Sequence, residues 1–454
     1  MTEAFLRTVP GYSSPRLKTV VGELLRVDPS LVEWLGQADP KRLVVIKPNW
    51  IQESRQDQPA LWETVITHPA LLLAIVDCLA EFMKGHGTIC LCDAPQTYGD
   101  FIALTARGEL RKGLDAIRAR FPALALDVID LRRETWIVKE GVIVERRPNP
   151  PDPRGYVKLD LGANSLFAGH PGEGRYYGAD YDSNCVNEHH HGNVHEYLLA
   201  GTPMQCDLLV NVPKLKTHKK TGITCALKNL VGINGDKNWL PHFVQGTPHD
   251  GGDEFSESSF QKNAERMLKK AGQKLALAFP RFGTWAYRKG RQAGLHVMGD
   301  STTTIRAGNW QGNDTCWRMV LDLNRALLYG TADGRMSNQR NARRVLVIVD
   351  GIIGGEGNGP LCPDAVSSNI LIAGTNPAVV DAVAARAMGF DIKALSIITQ
   401  AFAPHCWPIF DIPLDKIQVN DDRAGRNISI DQVEPAVAGG FRPHFGWPEL
   451  KKSP

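Results

Sequence analysis

Between residues 206 and 237 the chain reads CDLLVNVPKLKTHKKTGITCALKNLVGINGDK, and this stretch holds the side chains best suited to chemistry. Lys214, Lys216, His218, Lys219 and Lys220 follow an apolar strand that stops at Pro213, and Lys228 and Asn229 come shortly after. Ammonium groups bind carboxylate or phosphate oxygens as point charges. A histidine among them can move a proton or ligate a metal near neutral pH. Cations packed so densely between Pro213 and Gly222 are hard to explain as packing. The segment therefore reads as a site, with Lys214, Lys216 and Asn229 binding an anion and His218 and Lys228 catalytic.

Other short stretches offer partners. Lys47-Pro48-Asn49-Trp50 and Asp93-Ala94-Pro95 each end an apolar run; Lys47 and Asn49 join the anion-binding set, and Asp93 the catalytic one. Asp350 opens DGIIGGEGNGP, where Gly357, Asn358 and Gly359 could present backbone amides to an anion. The glycine order, with Pro360 and Pro363 in place of a helix, is not a dinucleotide-binding fingerprint. Asp350, Glu356 and His242 are candidate metal ligands. So are His191 and His195, which would share a helix face four residues apart. Adjacent histidines in a loop rarely all ligate, and Gly192 interrupts a helix. Asp381, in the first turn of a helix, reads as a capping carboxylate.

The elements that must position these residues are α/β. Leu43–Ile46, Thr88–Cys92 and Leu124–Ile129 are buried-strand runs, separated by a helix starting at Pro69 and a second near Phe101–Phe121. Such alternation predicts a mostly parallel sheet with flanking helices, whose ligands bind beyond the C-terminal strand ends. A helix spans roughly Ser14 to Trp34. Further strands fall at Val345–Val349 and Asn369–Ala373, with a capped helix after Asn376-Pro377. The predicted organisation is two α/β lobes, 1–245 and 336–454, with a basic helical insertion at 246–335.

Composition narrows the class. Hydrophobic residues at 43% and charged residues at 22% suit a soluble globular chain, and a net charge of +3 gives no general argument for nucleic acid. Nine scattered cysteines without a CxxC pair predict reduced thiols, a cytoplasmic location and no iron–sulfur cluster. No apolar run reaches the ~18 residues of a membrane span. The basic, aromatic stretch 257–291 could make a peripheral membrane contact, although such helices more often pack on their own protein.

On KPNW (47–50), DAP (93–95), NVPKLKTHKKTGITCALKNLVG (211–232), DGIIGGEGNGP (350–360) and NPAVVDAVAARAMGFD (376–391), the chain resembles the domain of unknown function 362 family. Many members carry ferredoxin-type cysteine motifs, which this sequence lacks. A fainter resemblance is to the nickel-dependent lactate racemase family. There a catalytic histidine precedes, by ten positions, a lysine carrying a pincer nucleotide cofactor, and a nickel-ligating histidine follows. His218, Gly222 and Lys228 match that spacing, with His242 near the ligand position. The Gly-Gly before that family's lysine is Ala226-Leu227 here, and its second catalytic histidine has no clear partner.

Three functions are consistent with these features. The leading one is an enzyme acting on a small anionic substrate by acid/base chemistry, with a divalent metal ion as candidate cofactor. A second is racemase- or epimerase-like chemistry with a nucleotide-derived cofactor on Lys228, as the fainter resemblance implies. The third is a non-catalytic protein that binds an anionic polymer or membrane surface.

Overall fold

The computed structural model describes residues 3–55, 57–139, 142–179, 183–257 and 304–451. Its frame is an 11-stranded mixed sheet. β1 (Ala4–Thr8) precedes β2 (Leu43–Pro48), β3 (Thr88–Asp93) and β4 (Ala125–Asp130). β5 (Glu134–Lys139) and β6 (Val142–Pro148) form a separate hairpin. β7 (Tyr156–Asp160), β8 (Tyr176–Tyr177), β9 (His190–His191) and β10 (Val194–Ala200) belong to small sheets. The cation-rich segment supplies β11 (Leu208–Val212), β12 (Lys214–His218) and β13 (Gly222–Thr224), and β14 (Phe243–Val244) follows. β15 (Arg344–Asn358), β16 (Cys362–Gly374), β17 (Gln418–Asp421) and β18 (Arg426–Ser429) complete the chain of strands.

Across the sheet the order is β18-β17-β1-β16-β15-β11-β2-β3-β4, and β12 lies along the later half of β15. β15, β11, β2, β3 and β4 run parallel. Their apolar runs are continuous because both sheet faces are covered. Val44, Ile46, Ile89 and Val210 enter one core, shared with helices Arg16–Leu24 and Pro69–Phe82. Val45, Cys90, Leu209 and Val347 enter the other, under helices Cys316–Tyr329 and Pro377–Ala387. Strands from 1–245 and from 336–454 interleave in this one sheet. Within 246–335, residues 258–303 lie outside the described residues, and with them the expected membrane-facing stretch beyond Glu257. The helix Cys316–Tyr329 is core.

Local chemistry explains where elements begin and break. Pro69 starts its helix with the His68 side chain accepting from the Ala70 amide, and Asn376 caps the Pro377 helix in the same way. The single helix expected over Ser14–Trp34 is two, because Asp28 caps a new start at Pro29. The helix expected over Phe101–Phe121 breaks at Gly108, whose φ is 51°. His191 and His195 do not share a helix face: β9 and β10 pair as a hairpin, with His191 exposed and His195 buried. The glycine-rich run after Asp350 does not follow a strand end but continues β15, paired with β16 as far as Asn358.

Candidate active site

A cavity of about 960 Å³ opens beyond the ends of β2, β3 and β11, where an open parallel sheet binds its ligands. Lys47, Asn49, Asp93, His218, Lys228, Asn229 and His242 all line it, as do Lys219, Lys220 and Lys237. The turn that carries Lys228 (Ala226–Asn229) starts on a borrowed cap. The buried carboxylate of Asp381 accepts from the amides of Ala226 and Leu227 at 2.6 and 3.1 Å. Asp381 thus caps this turn, across the core, and not its own helix.

Polar bonds tie the strand ends together beneath the cavity. Lys47 Nζ pairs with Asp93 at 2.7 Å, and the Trp50 amide donates to the same carboxylate. Asn229 accepts from Asn49 at 3.0 Å and donates to Asn211 at 2.7 Å. Lys216 Nζ donates to Asn49 at 2.9 Å and to the Val65 carbonyl. Lys216 is fully buried, and desolvation holds its ammonium far below the ordinary lysine range, with Lys214 and Lys228 adding repulsion. Gly232 passes so close to the pair that an added Cβ would sit 1.9 Å from Asp93 and 2.6 Å from Lys47 Nζ. Gly232→Ala is therefore expected to split the Lys47–Asp93 pair and cost about 3 kcal/mol, as leaving a buried charge uncompensated does. A urea midpoint equal to wild type would count against that role.

Several expected site residues lie elsewhere. Lys214 is buried against Asp350 at 3.0 Å and the Tyr12 hydroxyl at 2.8 Å. Asp350 also accepts from Tyr12 and from the His68 amide, so its oxygens are taken up in packing. Glu356 accepts from the Arg442 amide and guanidinium. The amides expected to cradle an anion are spent within the protein: Gly357 N donates to Arg442 O and Gly359 N to Gly357 O. Asn358 is not among the residues lining the cavity. The histidine run supports the cavity from behind. His189 stacks on Trp239 and His190 Nε2 donates to the Trp239 carbonyl, while His195 lies among Phe167 and His190. Among the described residues no three His, Cys, Asp or Glu side chains converge as metal ligands, so the expected metal set does not come together, and no step below runs through a metal.

What converges is positive charge. Once Lys47 and Asp93 are paired, Lys220, Lys228 and Lys237 face the cavity without a carboxylate in contact among the described residues. Lys220 Nζ donates to the Ala307 carbonyl and lies over the Phe243 ring, and Lys237 Nζ donates to the Val231 carbonyl at 3.0 Å. Lys228 Nζ meets no acceptor there. Burial, the largest cause in each case, lowers all three ammonium groups, Lys220 and Lys237 to about 7. Lys237 ends the cation-rich stretch, but the sequence assigns it no role, since it stands apart from the cluster at the start of a short 3-10 helix.

The two cleft histidines hold opposite tautomers. The amides of Lys220 and Thr221 donate to His218 Nδ1 at 3.1 and 3.2 Å, so the neutral ring carries its proton on Nε2. His242 Nδ1 donates to the Leu240 carbonyl at 2.8 Å, which leaves a lone pair on Nε2. Burial, then the nearby lysines, holds both rings well below the ordinary imidazole range and hence neutral at pH 7. The cleft therefore offers one imidazole donor, His218, and one acceptor, His242, beside Lys228.

The model of the family described as "Domain of unknown function (DUF362)" matches residues 160–386, half of the chain. No curated protein matches the sequence. Two solved structures are similar over most of it. A structural-genomics protein from Thermotoga maritima aligns at 12% identity and a TM-score of 0.32, over 79% of this chain and 55% of that one. The lactate racemase apoprotein from Thermoanaerobacterium thermosaccharolyticum aligns at 10% identity and a TM-score of 0.31, over 82% and 54%. This chain spans about half the length of each. Among the described residues no helix is long and apolar enough to cross a membrane. His218, Lys220, Lys228, Lys237, His242 and Asp381 fall within the matched span, whereas Lys47, Asn49 and Asp93 precede it, and the chain belongs to the DUF362 family.

Proposed function

We propose that the cleft binds a small molecule bearing a carboxylate or phosphate and transfers a proton on it. Lys228, flanked by Lys220 and Lys237, holds the anionic group. His218 Nε2–H donates to an oxygen on which charge develops, in the manner of a neutral imidazole electrophile. His242 Nε2 takes the proton. The observation that carries this reading is the presence, in one cavity, of three ammonium groups without carboxylate partners among the described residues and two imidazoles of opposite tautomer.

The lysines supply the test. Lys220 and Lys237 titrate near 7 in the folded protein, below the ordinary 10.5. Their contribution to stability is full above about pH 10.5 and is lost as pH falls toward 7, so the ligand-free protein should gain stability between those limits. A bound anion favours the charged lysines, so binding near pH 7 takes up protons, and affinity falls as pH rises further. Calorimetric titration with acetate, lactate and phosphate, in two buffers of different ionisation enthalpy, measures both effects. Binding heats that do not depend on the buffer, or no binding by any of the three, would sink the proposal.

A further inference from the structure

The cavity is too large, and on one side too apolar, for a short acid alone. At the ~30 Å³ that a water takes up in the liquid, a hydroxy acid of about six heavy atoms occupies roughly 200 Å³. The cavity holds about 960 Å³, near the upper end of small-molecule sites. It also runs sideways. The cations come from the β12–β13 turn and the short helical turns that follow β13, whereas Trp136, Ile137, Val138 and Ile143 line the cavity from the β5–β6 hairpin, which follows edge strand β4. Strands β11 and β4 are three interstrand spacings apart, about 14 Å.

The hairpin is built to present those side chains. Its register shifts between Ile137 and Val138, which lets two consecutive residues line the same cavity. The Trp136 amide donates to the Thr97 carbonyl at 2.7 Å, and the ring is held by Arg146 above it and by Glu134 on Nε1. Neither hydrophobic core takes up Trp136, Ile137, Val138 or Ile143. Trp136 is itself buried beneath Arg146, but Ile137, Val138 and Ile143 are only partly covered, and their apolar surface is left to whatever fills the cavity.

We propose that the ligand is an anion with a bulky apolar body, of aromatic-ring size or larger, which lies on the β5–β6 hairpin while its charged end reaches Lys228. This rests on the anion-binding reading above and adds the shape of the molecule. Calorimetric titration of the full chain with naphthoate and with acetate tests it. Naphthoate is expected to bind about tenfold more tightly or better, the factor that burial of a few ring carbons gives. Ile143→Ser is expected to weaken naphthoate about fivefold and leave acetate unchanged. Equal affinities in the wild type overturn the apolar body and leave the anion site standing; so does an Ile143→Ser protein that weakens both ligands alike. Binding of neither overturns both readings. Should Ile143→Ser not fold, the wild-type comparison decides alone.

Discussion

Replacing Lys228 by methionine is expected to stabilise the ligand-free protein while removing its affinity for anions. The ammonium group is half-buried, meets no acceptor among the described residues, and is held below its ordinary range by desolvation. A methionine of similar length fills the same space without that cost. Exchanges that relieve a destabilised functional position typically add roughly 1 kcal/mol. A charge-assisted contact contributes about 1.5–3 kcal/mol to binding, so acetate or phosphate affinity should fall about 10- to 100-fold. Paired melting and titration measurements separate the outcomes. A structural lysine would give the reverse: a lower melting temperature with binding unchanged.

Asp381→Ala is expected to have a large effect on stability, although Asp381 does not line the cavity. Its carboxylate accepts from both the Ala226 and Leu227 amides, and the site is fully buried. Alanine would leave two amides without acceptors and open a small void, a loss of about 2–4 kcal/mol. The turn bearing Lys228 would lose its start, so anion binding should weaken as well. Asp381→Asn keeps one acceptor oxygen and should lose about half as much. Burial lifts the Asp381 pKa to about 7, above the ordinary 3.8. That contribution to stability is full below about pH 3.8 and gone above 7, so wild type loses it as pH rises through that window and Asp381→Asn does not. Urea unfolding at pH 5 and pH 8 reads both effects. An alanine variant as stable as wild type would refute the capping role.

Much of the frame was legible because both-face burial writes itself as continuous apolar runs: Leu43–Ile46, Thr88–Cys92 and Leu208–Val212 are strands of one parallel array. The placement of Lys47, Asn49, Asp93 and His218 at one edge followed from that array. The division of labour among the cations did not. Lys214, Lys216 and His218 alternate along β12, yet only His218 reaches the cavity, because Asp350 and Asn49 arrive from distant strands to engage the other two. Partners so far away in sequence leave no local pattern. The same holds for Asp381, which reads as the cap of its own helix until the fold brings it to Ala226. The glycines after Asp350 were misleading for another reason: such a run at a strand end suggests free amides, and here it permits β15 to pack closely against β12 and β16.

The position of β1 bears on how the molecule is assembled during synthesis. Ala4 lies opposite Gly374 on one side and Val419 on the other. Closing loops of that length costs chain entropy before any contact rewards it, so such pairings form late and slowly. A growing chain can hold β2, β3 and β4 together early, with Lys47 and Asp93 already at their edge. The turn that presents Lys228 must wait for Asp381, made only after β15 and β16. The charged half of the cleft thus stays unfinished until the chain through Asp381 has been made.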